Sequence, residues 1–240
     1  MKRIITLLLF CALSVTGYAS EGVKLESADI DLSDKESLQR GAKSFVTYCL
    51  GCHSIKHIRY KRLAQDLEMD EKKLLIQIAP QNASIYDKMF TAMNGHDAEK
   101  WFGLQPPDLS LIARSRGKDW LYSYLKGFYA DHSAPLGVNN TVFPDVGMPN
   151  VLWQLQGQQE AVVKMIEGKQ IVEGLVLAKP GTLSEKEFDD LVNDLVNFLV
   201  YVGEPMQLDR ISRGKYVLIF LFMFLGIAYL LKKEYWKDVH

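Results

Sequence analysis

The sequence predicts a mostly α exported domain with long loops, followed by one C-terminal transmembrane helix. Three observations carry this. The chain opens on a signal-like segment, two helix-period apolar stripes flank a loop-rich middle, and an uncharged apolar run lies near the end. With 240 residues and 48% apolar side chains, the chain can bury one full core.

Residues 1–19 begin with Lys2 and Arg3, continue as an apolar run from Ile4 to Val15, and end on Gly17-Tyr18-Ala19. That order of basic, apolar and small residues predicts a secretory signal removed after Ala19. Cys11 lies inside it behind bulky Phe10, which does not suit a lipid-bearing cysteine. The expected domain is then 20–209, with 210–240 as membrane anchor and short tail. Leaving out 1–19, with two basic residues, and 213–240, with five basic and two acidic, the middle holds 21 basic and 27 acidic residues. This net charge of −6 argues against nucleic acid and suits a basic partner.

Ser33-Asp34-Lys35-Glu36 has the spacing of a capping box and predicts a helix start. Leu38, Ala42, Phe45, Cys49 and Cys52 or His53 then recur at three- and four-residue steps, so the cysteines extend the apolar face. Ser184 and Glu187 form a second capping box. Its helix carries Phe188, Leu191, Val192, Leu195, Phe198, Leu199 and Val202, and Gly203-Glu204-Pro205 should stop it. Gly41 allows close backbone approach, so the two helices could cross there. Between them QPPDLS and APLGVNNTVFPDVGMPN are rich in Pro, Gly and Asn. Little sheet is expected, and a large buried cofactor would hold such loops.

Tyr216–Leu231 is uncharged and bracketed by Arg213, Lys215, Lys232 and Lys233. Its sixteen residues reach roughly 24 Å as helix, and flanking Lys, Tyr235 and Trp236 extend the reach, giving a span over about 215–232. Lys232, Lys233 and Lys237 favour an inside tail, opposed in part by Arg210, Arg213 and Lys215.

YCLGCHSIKH places Cys49, Cys52 and His53 in one turn. Two thiols three apart reach the two vinyl groups of a haem, and an imidazole directly after them sits under the iron. A thioredoxin-like reading needs the pair at a helix N-terminus after a strand, and zinc needs a second ligand pair. His57, His96 and His132 are scattered and supply none. The sixth ligand must come from far along the chain, since His57 shares a side with His53. Met69, Met89, Met93 and Met165 stand in helix-like patterning, where methionine is usually filler. Met148, between Gly147 and Pro149, stands in a loop and is the favoured ligand, with His96 and His132 as bis-histidine alternatives. A thioether ligand raises the potential relative to two imidazoles.

CLGCHSIKHIRYKRL, WFGLQPPDLSLIARSRG, NNTVFPDVGMPNVLW and the ending LKKEYWKDVH closely resemble the cytochrome c1 family, in order, from about Val23 to His240. The resemblance implies a cytochrome c-like haem domain with one covalent haem c, in a cytochrome bc1 complex with cytochrome b and a Rieske iron-sulfur protein, within a dimer. It implies electron transfer from the Rieske cluster to a cytochrome c, with the domain on the periplasmic side of a bacterial inner membrane. On matching positions, Cys49 and Cys52 form the thioethers and His53 and Met148 the axial pair. Pro106, Pro107, Asp108 and Leu109 match a loop at the haem edge, and Arg116, with Arg114 as competitor, an arginine on a haem propionate. Tyr60 and Asn139 or Asn140 match further haem-proximal positions. An additional cysteine pair that braces some relatives has no counterpart after residue 19 here. The implied protein has no bond chemistry of its own. A free-standing membrane-anchored c-type cytochrome is the alternative, and an exported thiol-disulfide oxidoreductase a more distant one.

Overall fold

A computed structural model describes residues 24–238 apart from 81, 167 and 168; the expected signal at 1–19, with Cys11, lies outside them. Helix α1 spans Lys35–Tyr48. Its cap is Asp34, whose carboxylate accepts the Ser37 N–H at 3.0 Å, and not the expected Ser33–Glu36 box. The Ser33 hydroxyl is engaged elsewhere, donating to Asp31 Oδ1 at 2.6 Å. A carboxylate one residue on then meets the free N–H groups of the first turn.

After α1 come β1 (Ile55–Arg59), α2 (Tyr60–Asp66), α3 (Glu71–Ile78), β2 (Lys88–Met89) and α4 (Gly95–Phe102). Next are α5 (Ile112–Arg116), α6 (Lys118–Lys126), β3 (Phe128–Ala130), β4 (Val138–Asn140) and α7 (Trp153–Gln156). A hairpin of β5 (Gly157–Ile166) and β6 (Lys169–Pro180) precedes α8 (Glu185–Gly203) and α9 (Gln207–Tyr235). The three sheets are antiparallel strand pairs, β1–β2, β3–β4 and β5–β6.

The core is the crossing of α1 and α8. The capping box that opens α8 is present in both directions, Glu187 N–H to Ser184 and Glu187 carboxylate to the Ser184 N–H. Phe188, Val192, Leu195, Phe198, Leu199 and Val202 are all buried. At the crossing, a Cβ on Gly41 would stand 2.0 Å from the Asp194 carbonyl oxygen, so only glycine fits. Phe45 and Phe198 meet beside it with ring centroids 5.9 Å apart. Buried Asn197 ties the pair to the preceding loop, donating to the Asp31 carbonyl at 2.8 Å and the Ser37 hydroxyl at 2.9 Å.

The β5–β6 hairpin departs from the expected shortage of sheet. GQQEAVVKMI pairs with KQIVEGLVLAKP over ten residue pairs, with irregularities between Gln158 and Gln159 and between Val162 and Val163. Paired β-branched and apolar residues here outweigh the helix-like spacing of the same letters. Met165 therefore stands on a strand and is exposed, while Met89, also on a strand, is fully buried against the core. Met69 and Met93 lie outside helices. None of the four is helical; Met89 packs as filler all the same.

Helix α9 is continuous for 29 residues, roughly 44 Å at 1.5 Å per residue, and long and apolar enough to cross a membrane. It contains the expected span of 215–232, and its apolar side chains are exposed.

Candidate metal centre

Cys49 is the C-cap of α1, its N–H bonded to the Phe45 carbonyl at 2.8 Å. The Cys49 carbonyl then accepts both the Cys52 N–H at 3.0 Å and the His53 N–H at 2.8 Å. The motif is thus a tight turn closing the helix rather than part of it, with its three side chains one turn apart.

Both cysteines are free thiols. Burial pushes the Cys49 thiol up to about 12, and burial raises Cys52 as well. A redox CxxC needs the opposite, a thiol lowered by a helix N-terminus, and this pair sits at a C-terminus. The oxidoreductase reading loses its physical basis. Among the described residues no three His, Cys, Asp or Glu side chains are placed to share a metal ion, which likewise leaves zinc without a site.

His53 is 9% exposed. Its Nδ1 lies 2.8 Å from the Pro107 carbonyl, an acceptor, so Nδ1 carries the proton and Nε2 keeps its lone pair. Burial pushes the imidazole below its ordinary value, opposed by the Pro107 bond and the Asp108 charge. A neutral imidazole with a fixed tautomer and a free Nε2 is what an iron ligand requires. The other described histidines, His57, His96 and His132, are all exposed.

The PPDLS loop is fixed to the chain that follows the motif. Leu109 donates to the Ser54 carbonyl at 2.9 Å, Lys56 N–H to Asp108 Oδ2 at 3.1 Å, and His57 N–H to the Ser110 hydroxyl at 3.2 Å. Thr91 closes the other side, its N–H on Ser54 Oγ at 2.9 Å and its hydroxyl on the Gly51 carbonyl at 2.7 Å. These bonds hold the loop in which the Pro107 carbonyl meets His53 Nδ1.

Met148 lies in the loop between β4 and α7 and is half-buried. The Tyr124 hydroxyl donates to its Sδ at 3.4 Å, leaving a second sulfur lone pair for a metal. Burial pushes the Tyr124 phenol up to about 12, so it remains a donor at neutral pH. Two asparagines shape this loop. Asn140 Oδ1 accepts the Val142 and Phe143 N–H groups at 2.9 and 3.2 Å while its amide donates to the Tyr124 carbonyl at 2.8 Å. Asn139 Oδ1 accepts Asn140 and Asp145 at 2.8 and 2.9 Å. A cavity of about 580 Å³ beside the loop is lined by Trp101, Phe102, Leu104, Val146 and Gly147, among others.

The two arginines separate clearly. Arg114 Nη1 pairs with Glu204 Oε2 at 2.9 Å, whereas the Arg116 guanidinium stands 5.1 Å over the Trp120 ring and 5.9 Å over Phe143. Tyr60 is buried, with its hydroxyl among the buried polar atoms that lack a partner, and it lines a second cavity with Arg59, Asp87 and Phe90. Sequence reasoning did not single out Tyr124, Ser54 or Thr91. A tyrosine reaches a thioether 24 positions away only once the fold is formed, and no local pattern marks it.

A model of the Cytochrome C1 family matches residues 27–239. The chain belongs to this family. It is 50% identical to cytochrome c1 of Allochromatium vinosum, covering all of this chain and 99% of that one. It is 47% identical to a protein named ammonia monooxygenase gamma subunit of Nitrosomonas europaea, covering 100% and 99%, and 27% identical to cytochrome c1 of Rhodospirillum rubrum, covering 86% and 83%. Among solved structures, a chain of a hyperthermophilic respiratory Complex III shares the fold, with a TM-score of 0.50 at 16% identity over 100% of this chain and 98% of that one. Membership in the Cytochrome C1 family carries a covalently bound c-type haem and a role in respiratory electron transport at a membrane. The donor set fits: two free thiols, a neutral imidazole presenting Nε2, and a thioether with a lone pair to spare.

Proposed function

We propose that this chain is the haem-bearing electron-transfer subunit of a cytochrome bc1 complex, receiving an electron from a Rieske iron-sulfur protein and passing it to a cytochrome c. The observation that carries the reading is buried His53, its Nδ1 tied to Pro107 in a loop itself bonded back to Ser54. Cys49 and Cys52 would hold one haem by thioethers, and His53 and Met148, the latter presented by the asparagine-built loop and Tyr124, would ligate its iron. The haem supplies a one-electron couple; the protein fixes its ligands, excludes water and sets its potential. Arg116, free of a carboxylate among the described residues, would pair with a haem propionate, because Arg114 is committed to Glu204. Tyr60, whose hydroxyl has no partner among the described residues, and Pro107 would complete the haem surroundings.

Residues 1–19 act as the export signal, 20–209 form the periplasmic domain, and 210–240 anchor it in the bacterial inner membrane beside cytochrome b, in a dimeric complex. The net charge of −6 over the middle of the chain steers a basic acceptor. Purification in mild detergent with a reduced-minus-oxidised spectrum tests this. Recovery of a c-type α band together with cytochrome b and the Rieske protein is expected. Recovery of the haem alone would favour the free-standing cytochrome, and recovery with an ammonia-oxidising membrane assembly would favour the role named for the Nitrosomonas relative.

A further inference from the structure

Three residues, Glu204, Pro205 and Met206, join the last helix of the haem domain to the membrane helix. So short a joint transmits any change of angle directly to the haem. Pro205 has one stiff backbone torsion, and the flanking residues are clamped by side chains.

Glu204 is the centre of the clamp. Its Oε2 accepts from Arg114 Nη1 at 2.9 Å and its Oε1 from Arg210 Nε at 2.5 Å. One carboxylate therefore links α5, which directly follows the loop that orients His53, to the first turn of α9. The stem of Arg114 packs closely on Gly203, where a Cβ would stand 3.3 Å from Arg114 Cγ. A second set of contacts lies alongside. Asp66 Oδ2 accepts from Tyr201 Oη at 2.7 Å and Arg62 Nε at 2.6 Å, and Arg62 Nη2 reaches the Met206 sulfur at 3.1 Å. Arg62, Asp66, Tyr201 and Glu204 line one small cavity of about 160 Å³ with the start of α9.

Exposed ion pairs contribute little stability one at a time. The effect of this arrangement is geometric: the Glu204 bridge ties α5 to the first turn of α9 across the joint, and Arg62 holds Met206 within it. We propose that Glu204 is a positioning residue, which by bridging Arg114 and Arg210 sets the tilt of the haem domain on its membrane anchor and hence the rate at which a membrane-bound donor reduces the haem. The rate arm rests on the function proposed above, whereas the tilt arm stands without it.

Glu204→Gln keeps the volume and removes the charge that holds two guanidinium groups. In the intact complex in native membranes, three quantities are read: the haem midpoint potential, the haem orientation by electron paramagnetic resonance of stacked membranes, and the rate of quinol-driven haem reduction. The expected result is an unchanged potential, a broadened orientational spread and a several-fold slower reduction, with Glu204→Asp intermediate. Arg210→Gln should reproduce the effect from the membrane side, and the double variant should be no worse than the worse single, because both break one bridge. If Glu204→Gln does not accumulate, Arg210→Gln is read in the same way. A spread and rate equal to those of the parent in either variant would overturn the proposal. Absence of quinol-dependent reduction in the parent would count against the bc1 reading, while the orientation measurement would still decide the clamp.

Discussion

Replacing Tyr124 by Phe removes one oxygen and leaves the ring, which stacks on Trp120 at 4.9 Å and meets Phe128 edge-on at 5.3 Å. The lost group is the donor to Met148 Sδ at 3.4 Å. With Met148 as the proposed iron ligand, a hydrogen bond to its thioether draws electron density from sulfur and weakens donation to the metal, which disfavours the oxidised state more than the reduced one. Removing it should therefore lower the midpoint potential. A net hydrogen bond contributes about 0.5–1.5 kcal/mol, and sulfur as a weak acceptor belongs in the lower half of that range. At about 59 mV per tenfold change for one electron, complete loss of the bond from one redox state corresponds to roughly 20–60 mV, with the lower half expected. Spectroelectrochemical titration of the purified complex measures this, with the α-band position as a check that ligation is retained. A potential that stays put or rises would refute the chain of reasoning from Tyr124 through Met148 to the iron.

Gly41→Ala should force α1 and α8 apart, since its Cβ meets backbone atoms of Asp194 that cannot rotate away. Overpacking of about 3 kcal/mol, less about 1 gained in helix propensity, leaves roughly 2 kcal/mol, or a Tm lower by about 4–8 °C by calorimetry. Glu187 is held below the usual carboxylate range, first by the Ser184 N–H and then by its hydroxyl. Its contribution to stability is therefore present above the ordinary carboxylate pKa and is lost as pH falls through the lowered value, so Glu187→Gln should flatten the acid limb of a Tm-against-pH curve. The second-order rate of electron transfer to a basic soluble cytochrome c should fall as ionic strength rises, and stopped-flow rates independent of salt would remove the steering argument.

The elements that could be read from sequence are those whose cause is local. The Ser184–Glu187 box works because both partners lie within one turn, and Gly41 betrays a crossing because no other residue allows it. The same rule misled at Ser33, where Asp31, two residues before it, took the hydroxyl and Asp34 took the cap. The β5–β6 hairpin was hidden in part because both irregularities insert an extra residue into β6, between Leu177 and Lys179 and between Val172 and Gly174, and shift its alternation twice.

The loop-rich middle argues something further about how such a site is built. Its shortage of regular structure suggested that a large cofactor holds it, yet the loops also carry their own framework. Asn139, Asn140, Asp108, Ser110 and Thr91 each turn a side chain onto nearby or distant backbone, replacing the ladder bonds that strands would have made. Most of these bonds converge on the segments bearing His53 or Met148. The segments carrying His53 and Met148 are therefore held by side-chain-to-backbone bonds rather than by regular strands. Asn140→Ala would free the Tyr124 carbonyl and two loop N–H groups at once, and its effect should appear at Met148 rather than at His53, because the bonds its side chain makes go to Tyr124, Val142 and Phe143 on the Met148 side.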